Sequence, residues 1–314
     1  MSDYVVGVDL GGTKIDIGLV DADNRIVARR RIPTQSEQGG AAVVERIADV
    51  LADFARETGT TAVALGICTP GPVDHVSGTL LTLINLPGLS NTSLRALLAE
   101  RLGIPVKLEH DAKAAALGDF HYGAGRGARS MAYITIGTGV GAALILDGQL
   151  YYGDRNAAGE IGHITIDRYG EVCSCGTRGC VETFMSGPWL IRRYLRAAAG
   201  RGVLFDTNIT GERLAELAQS GDILARQVIT EAGEALGIAV ASLAMLVNVD
   251  LNVIGGSVAK LGDLLLDPAR RTMPQFCFRA LGAGVQILPS ALDDRAPILG
   301  CAWLARAAHQ EILR

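Results

Sequence analysis

The sequence has no surplus of basic residues. It contains 29 Lys and Arg against 33 Asp and Glu, which gives a net charge of −4. Proteins that bind nucleic acids normally carry an excess of positive charge on one face. We therefore expect no nucleic-acid partner.

The sequence also lacks a membrane span and a disulfide scaffold. Its two long uncharged stretches, Ser130–Leu146 and Ala235–Val249, are shorter than the ~20 apolar residues that cross a bilayer. Six cysteines in 314 residues are too few for a disulfide-stapled fold. We see no signal peptide before the first predicted strand, which begins at Tyr4. These absences favour a cytoplasmic protein without a membrane partner.

A dense group of metal-binding residue types is present instead. One histidine and three cysteines fall within 18 residues, and they are His163, Cys173, Cys175 and Cys180. A Cys₃His set is a complete tetrahedral zinc site that leaves no position for water or substrate. The spacing therefore predicts structural zinc.

Two acidic residues flank these four, Glu160 before them and Glu182 after them. A zinc-fixed loop would hold both carboxylates in place, and carboxylates accept hydrogen bonds from the hydroxyls of a polyol. A sugar-binding role is one interpretation. The alternative is a metal-stapled surface loop with two solvated acids.

Two glycine-rich turns each join a pair of apolar strands. Gly11–Lys14 lies between strands Tyr4–Leu10 and Ile15–Val20, and Gly137–Gly141 follows strand Ala132–Ile136. Neither is followed by a helix, so neither is a P-loop. Such a tip can hold a phosphate with its backbone N–H groups, although a single one is most often a simple turn. Their repetition indicates two similar domains that face a shared cleft.

Strands and helices otherwise alternate along the chain, which is typical of α/β architecture. Asp111 follows strand Val106–Leu108 and opens a helix, where ligands of open α/β sheets gather. The alternative is a helix-capping aspartate. Gly255 and Gly256 follow another strand, Asp250–Ile254, and allow a flat ligand to approach the backbone closely. The alternative there is a tight turn between strand and helix.

Together these motifs resemble the ROK family of sugar kinases, with its glucokinases most similar. The resemblance covers nearly the whole chain, and its motifs are Asp9–Lys14, Glu109–Ala112, Gly137–Gly141, Glu160–His163, Cys173–Glu182 and Ile254–Gly256. It implies an α/β, actin/hexokinase-like (ribonuclease H-like) fold of two duplicated domains with a central cleft. We expect a smaller domain from residues 1–115 and 294–314, and a larger zinc-bearing domain from residues 116–293.

The resemblance also implies roles for individual residues. Asp111 is the expected general base, and Asp9 is expected to organise Mg²⁺ through water. The expected nucleotide contacts are Gly11, Gly12, Thr13, Lys14, Gly137, Thr138, Gly139, Gly255 and Gly256. The expected sugar contacts, besides Asp111, are Gly71, Asn85, His110, Glu160, His163 and Glu182, with His163 also a zinc ligand.

One departure from the family pattern concerns the residues around Asp111. The family usually has Asn-Asp-Ala-Asn here, whereas this chain has His110 before Asp111 and Lys113 after Ala112. Histidine presents its donor and acceptor in a different geometry from asparagine. The residues around Asp111 therefore leave open which sugar is preferred. We expect Lys113 to be solvated. The alternative is that it lowers the pKa of Asp111.

The resulting functional hypothesis is an ATP-dependent hexose kinase that phosphorylates the 6-hydroxyl of glucose. Alternatives are a kinase of N-acetylmannosamine or N-acetylglucosamine, or a fructokinase. A sugar-responsive repressor is a remote alternative, because such proteins carry a DNA-binding segment before the first strand and only three residues precede Tyr4. The expected partners are a hexose, ATP and further copies of the chain, in a dimer or tetramer.

Overall fold

A computed structural model describes residues 3–82, 86–201 and 208–313. The chain divides into two compact units. Unit 1 comprises Met1–Gly127 with Leu292–Arg314, and unit 2 comprises Ala128–Ala291. Each unit is built on its own five-stranded sheet.

The sheet of unit 1 has the order β3-β2-β1-β4-β7. Strands β1, β2 and β3 form an antiparallel meander, and β4 and β7 continue the sheet parallel to β1. A separate two-stranded ladder joins β5 and β6. The strand bounds are β1 Tyr4–Leu10, β2 Lys14–Val20, β3 Ile26–Pro33, β4 Ala62–Thr69, β5 Val73–Asp74, β6 Thr79–Leu80 and β7 Val106–His110.

The helices of unit 1 are α1 Gly39–Thr58, α2 Leu94–Leu102, α3 Asp111–Tyr122 and, from the end of the chain, α10 Ala296–Leu313. Helix α1 buries one apolar stripe that includes Val44, Ile47 and Phe54, as its helical period predicts. Gly7 of β1 and Gly66 of β4 lie directly against the backbone of α10. The C-terminal helix therefore covers the central strands and completes this unit.

Unit 2 repeats the same sheet plan, in the order β10-β9-β8-β11-β12. Strands β8, β9 and β10 are antiparallel neighbours, and β11 pairs in parallel with β8 and β12. The bounds are β8 Met131–Ile136, β9 Val140–Leu146, β10 Gln149–Tyr151, β11 Leu251–Gly255 and β12 Gln286–Pro289. The shared strand order is the duplication that the two glycine-tipped hairpins predict.

The helices of unit 2 are α4 Glu182–Met185, α5 Gly187–Gly200, α6 Gly211–Gln219, α7 Ile223–Val247, α8 Asp263–Thr272 and α9 Arg279–Gly282. Helix α7 is long and apolar enough, by length and composition, to cross a membrane. However, 61% of its most apolar window is buried, and α7 packs against α4, α5, α6 and α8. Its apolar character is therefore that of the core helix of unit 2.

The unit boundaries differ from the predicted domain boundaries. The predicted cut between residues 115 and 116 falls inside α3, whereas unit 1 extends to Gly127 and resumes at Leu292 instead of residue 294. The physical reason is the contact between α3 and α10. A Cβ on Gly118 would lie 2.1 Å from the Ala296 carbonyl oxygen, and one on Gly300 would lie 1.7 Å from that of Ala114. The backbones of α3 and α10 are therefore in close contact, so the two helices belong to the same unit.

Candidate active site

Asp111 is the first residue of α3 and directly follows β7. Its Oδ1 accepts a hydrogen bond from the Ala112 amide at 2.6 Å and lies 3.1 Å from Nδ1 of His110. Desolvation raises the pKa of Asp111 above its usual range, and the nearby His110 and the Ala112 amide oppose the rise. With 39% of its side chain exposed, Asp111 is a basic carboxylate that a substrate can reach. It is inside the helix, so the simple capping interpretation does not describe it.

Asp9 lies at the carboxyl end of β1, close to Asp111. Burial raises its pKa to about 6, and the charge of Asp111 adds to the rise, while a hydrogen bond from the Cys68 thiol at 3.6 Å opposes it. Two carboxylates that disfavour each other's ionisation are a suitable environment for a divalent cation. Oxygen ligands of this type suit Mg²⁺, which retains several of its waters in proteins.

His110 packs against the loop that follows β4. A Cβ on Gly71 would lie 2.6 Å from Cδ2 and 2.9 Å from Nε2 of the His110 ring. The predicted sugar contacts Gly71 and His110 are therefore neighbours, and His110 is also next to Asp111. Asn85, the remaining sugar contact predicted for this part of the chain, lies outside the described residues.

The prediction that Lys113 is solvated is wrong. Only 3% of Lys113 is exposed, and Glu109 at the end of β7 is equally buried at 2%. The reason is that α3 is buried along nearly its whole length, from Ala112 to Phe120. The pKa of Asp111 is set by burial, by His110 and by the Ala112 amide. The alternative, that Lys113 lowers the pKa of Asp111, therefore gains no support.

The first glycine tip, Gly11–Lys14, is a tight turn between β1 and β2. The Gly11 amide donates to the Lys14 carbonyl at 2.9 Å. Behind the tip, Thr34 Oγ1 donates to the Gly11 carbonyl at 2.7 Å and the Thr34 amide to the Thr13 carbonyl at 3.0 Å. Thr13 and Lys14 are exposed. The turn is thus held from behind and offers its outer side to a ligand.

The second glycine tip, Gly137–Gly141, joins β8 to β9 in unit 2. The Gly137 amide donates to the Gly139 carbonyl at 2.9 Å, and the Gly187 amide at the start of α5 donates to the Gly137 carbonyl at 2.8 Å. Thr138 and Gly139 are exposed. This tip is also anchored on one side and open on the other.

The predicted adenosine loop lies beside the second tip. Gly256 has a φ of +90°, and a Cβ there would lie 2.4 Å from the Ile136 carbonyl oxygen, so only glycine suits this position. The next residue, Ser257, is exposed, and its Oγ is 3.6 Å from where a Cβ on Gly137 would be. Sequence reasoning missed Ser257 as a candidate ligand contact. Its position directly after the glycine pair is the signal that could have found it.

The four predicted metal ligands are brought together in unit 2. One ligand atom from each of His163, Cys173, Cys175 and Cys180 lies within 4.8 Å of all the others. The His163 Nδ1 to Cys173 Sγ distance and the Cys175 to Cys180 Sγ distance are both 3.7 Å. Tetrahedral zinc with bonds of about 2.3 Å to sulfur requires separations of roughly 3.7 Å. The donor set and its spacing therefore fit zinc.

The thiols of this cluster differ in their electrostatics. Hydrogen bonds with Thr177 lower the pKa of Cys175 to about 6, whereas burial raises the pKa of Cys180 to about 11. A cation bound between them would favour the thiolate form of every cysteine. The Nδ1 atom of His163 faces Cys173. The other ring nitrogen, Nε2, is therefore not the atom that faces this cysteine.

The two flanking acids have different surroundings. Glu160 is exposed just before the short turn Ile161–His163. Glu182 is half-buried at the start of α4, and its Oε2 accepts a hydrogen bond from the Val140 amide at 3.0 Å. Glu182 thus has a protein partner in the second glycine tip, which the sequence pattern did not indicate.

Many of the predicted site residues that the structure describes form one group in each unit. In unit 1, Asp9, Asp111, His110 and Gly71 cluster at the carboxyl end of the sheet. In unit 2, the second tip, the Gly255–Gly256 turn, Glu182 and the cysteine cluster are contiguous. A repeated sheet with a glycine-tipped hairpin in each copy defines the actin/hexokinase-like fold.

Comparison with known proteins agrees with this fold. The ROK family model matches residues 5–308, and the chain belongs to the ROK family. It is 33% identical over 323 residues to a glucokinase from Halalkalibacterium halodurans, covering 98% of this chain and 96% of that protein. It is 30% identical to a xylose repressor from Caldicellulosiruptor bescii, covering 95% of this chain and 76% of the repressor.

Among solved structures, the chain is similar to a ROK family glucokinase from Streptomyces griseus in complex with glucose and AMPPNP. The TM-score is 0.80 at 32% identity, and the alignment covers 97% of this chain and 99% of the other. The likeness extends over both units.

Proposed function

We propose that this protein is a glucokinase that transfers the γ-phosphate of ATP to the 6-hydroxyl of glucose. The observation that carries the proposal is the carboxylate of Asp111, accessible and made more basic by its surroundings, beside Asp9. The kinship with ROK glucokinases over almost the whole chain supports the same reaction.

The chemistry needs a base, charge neutralisation and alignment. Phosphoryl transfer asks the protein for positioning and electrostatic stabilisation more than for covalent chemistry. Asp111 accepts the proton of the attacking hydroxyl as the new O–P bond forms and the bond to the β-phosphate oxygen breaks, so that ADP leaves. Its raised pKa strengthens it as a base at neutral pH.

The remaining roles follow the residues of each unit. The N–H groups of the two glycine tips bind the phosphates, and Gly255 and Gly256 border the adenosine. Mg²⁺ would supply further charge neutralisation, with Asp9 organising it through water. The sugar is bound by a set of residues from both parts of the chain, namely Gly71, Asn85, His110, Glu160, His163 and Glu182.

Three further features belong to the same proposal. The cluster of His163, Cys173, Cys175 and Cys180 holds structural zinc, supported by its donor set and spacing. The protein acts in the cytoplasm, where ATP and free hexoses occur together. It assembles as a dimer or tetramer, the oligomeric state expected from the family.

The test is a coupled assay of ADP release with six sugars. The panel is glucose, mannose, fructose, glucosamine, N-acetylglucosamine and N-acetylmannosamine. Glucose is expected to give the highest kcat/KM. A preference for an N-acetylhexosamine or for fructose would change the substrate but keep the reaction, whereas sugar binding without ADP release from any sugar would overturn the kinase assignment.

That last outcome is the behaviour of a sugar-responsive repressor, the class to which the relative from Caldicellulosiruptor bescii belongs. The pairing of Asp9 with Asp111 favours the kinase, because binding a neutral sugar requires neither a basic carboxylate nor a cation site. Isothermal titration with glucose alone measures sugar binding separately from turnover.

A further inference from the structure

The Glu182 carboxylate lies between the second glycine tip and the cysteine cluster. Its Oε2 accepts the hydrogen bond from the Val140 amide at 3.0 Å, and its Oε1 is 3.9 Å from the Sγ of Cys173. Glu182 follows Cys180 by two residues, and the backbone between them is fixed because the Val181 amide donates to the Ile164 carbonyl at 3.0 Å. One short side chain therefore connects a phosphate-binding turn to a metal site.

The rest of the metal-binding segment packs against the same part of β9. The Ala142 amide donates to the Gly159 carbonyl at 2.9 Å. A Cβ on Gly162 would lie 2.1 Å from the Val140 carbonyl oxygen. The N–H of Val140 thus donates to Glu182, and its carbonyl is covered by Gly162. Gly162 directly precedes the ligand His163, and Glu182 follows the ligand Cys180 by two residues.

The electrostatics argue against Glu182 as a phosphate ligand. A Cβ on Gly139 would lie 3.0 Å from Glu182 Oε2, so the carboxylate lies directly against the turn. A negative charge at this position repels a phosphate and contributes no attraction. Because the Val140 amide already donates to Glu182, Thr138 and Gly139 are the residues whose amides can face the nucleotide.

We propose that Glu182, besides its proposed contact with the sugar, is a positioning residue that makes nucleotide binding at the second glycine tip depend on metal binding at the cysteine cluster. The inference rests on the proposed function of the tip as a phosphate site. A bound metal fixes residues 163–180, which fixes Glu182, and Glu182 then orients the turn through Val140. Because coupling between two binding sites is reciprocal, bound nucleotide also strengthens metal retention.

The experiment measures AMPPNP binding with Mg²⁺ in the absence of sugar, so that no chemistry contributes. Isothermal titration compares the zinc-loaded protein with protein treated with a zinc-selective chelator. Metal removal is expected to weaken AMPPNP binding by about tenfold, within the usual range of coupling between sites. Hydrogen exchange at the Val140 amide is expected to accelerate at the same time, because its acceptor is no longer fixed.

Variants at Glu182 separate this coupling from a general loss of structure. In the zinc-loaded protein, Glu182→Ala is expected to weaken AMPPNP binding by a similar factor and to reduce its dependence on the metal. Glu182→Gln retains an oxygen acceptor for Val140 and removes the charge that repels a phosphate, so it is expected to bind AMPPNP at least as tightly as wild type. Glu171→Gln is the matched control, since Glu171 lies on the same segment but pairs with Arg196, and it is expected to behave as wild type.

The outcomes distinguish this inference from the proposed function. If the zinc-loaded wild type does not bind AMPPNP, the phosphate-site assignment fails and the coupling fails with it. If AMPPNP binds equally well with and without metal, or if zinc-loaded Glu182→Ala binds AMPPNP like wild type, only the coupling is overturned. The Glu182→Ala arm needs no metal removal, so it can still overturn the coupling even if the metal-free protein unfolds.

Discussion

At the scale of single residues, Asp111 is the group proposed to accept the proton of the sugar hydroxyl. Its carboxylate combines exposure to ligand with a pKa that desolvation raises. Those two properties rarely coincide, because exposure normally restores solvation. Here the start of α3 supplies the position, and the neighbouring His110 and the Ala112 amide oppose part of the rise in the pKa of Asp111.

We predict that Asp111→Asn lowers kcat by at least ~100-fold, the usual contribution of a general base. The amide has nearly the same shape but cannot accept the hydroxyl proton, so glucose and AMPPNP affinities should change little. The coupled ADP assay and titration calorimetry measure the two effects. Asp53→Asn, on the exposed side of α1, is the control, and turnover of Asp111→Asn near the wild-type value would contradict the base assignment.

His110 offers a second prediction, which concerns both sugar choice and pH. The charge on His110 lowers the pKa of Asp111 against the larger effect of desolvation. Removing it in His110→Asn should raise the pKa of Asp111 further. Since the base must be ionised, the acidic limb of the kcat/KM profile is expected to move to higher pH.

The same variant should change the ratio of kcat/KM between sugars more than the affinity for ATP, because His110 packs on Gly71 in the proposed sugar pocket. Profiles measured with glucose and mannose test both effects. An unchanged acidic limb together with equal losses for every sugar would show that His110 has neither role.

At the scale of elements, the sequence predicts the hairpins and their glycine tips well. The β-branched runs in β1 and β8 and the glycines that follow them are local signals, and the structure has strands at both places. Contacts between distant segments have no such signal. The burial of Lys113 depends on the packing of α3, and the bond from Val140 to Glu182 joins residues 42 apart.

The packing of α3 on α10 provides a prediction about stability. A methyl group at Gly118 would overlap the Ala296 carbonyl, so Gly118→Ala should lower the free energy of unfolding by about 1–3 kcal/mol, the usual cost of overpacking. Gly211→Ala is the matched control, because the space beside Gly211 at the start of α6 is open. Urea unfolding compares the two. Equal stability of both variants would show that the helices can separate without cost.

The metal-binding segment is the second element with a prediction. Purified protein is expected to contain about one zinc per chain, and Cys175→Ser is expected to lose it because the variant lacks one of the four ligands. The segment should then loosen, because a structural zinc site contributes on the order of 10 kcal/mol. Elemental analysis measures the metal, and limited proteolysis measures loosening of residues 159–182. Cys277→Ser, outside the cluster, should keep its zinc. Wild-type protein without zinc would contradict the assignment.

At the scale of the whole molecule, the duplicated fold could be predicted because the same motif occurs twice. The exact positions of the unit boundaries could not be predicted from local patterns, because they depend on how α3 packs on the last helix. Helix α10 follows unit 2 in the sequence but belongs to unit 1. No local pattern in residues 296–313 indicates its partner, and the expectation that residues 294–314 join the smaller domain came from the family resemblance alone. The segment just before α10 shows which contacts hold the chain where it re-enters unit 1.

That segment is held by a cluster of four charged residues, Asp16, Arg29, Arg31 and Asp294. Arg29 and Arg31 on β3 both pair with Asp16 on β2, and both also pair with Asp294 just before α10. Burial alone would raise the pKa of Asp16 and of Asp294, but hydrogen bonds and charge attraction from the two arginines outweigh it and lower both. The cluster therefore stabilises unit 1 only while both carboxylates are ionised.

The last prediction is a loss of stability in acid that depends on this cluster. Because the folded-state pKa values of both aspartates lie below the unfolded value of about 3.9, their contribution is complete above that pH. It is lost as the pH falls through the folded values.

Asp16→Asn should lower the free energy of unfolding at pH 7 by about 2 kcal/mol, in the range for hydrogen bonds to charged groups. It should also make the decline of Tm below about pH 4 shallower than in wild type. The exposed Asp23→Asn serves as control, and parallel curves of Tm against pH for wild type and Asp16→Asn would show that the cluster does not hold the returning chain.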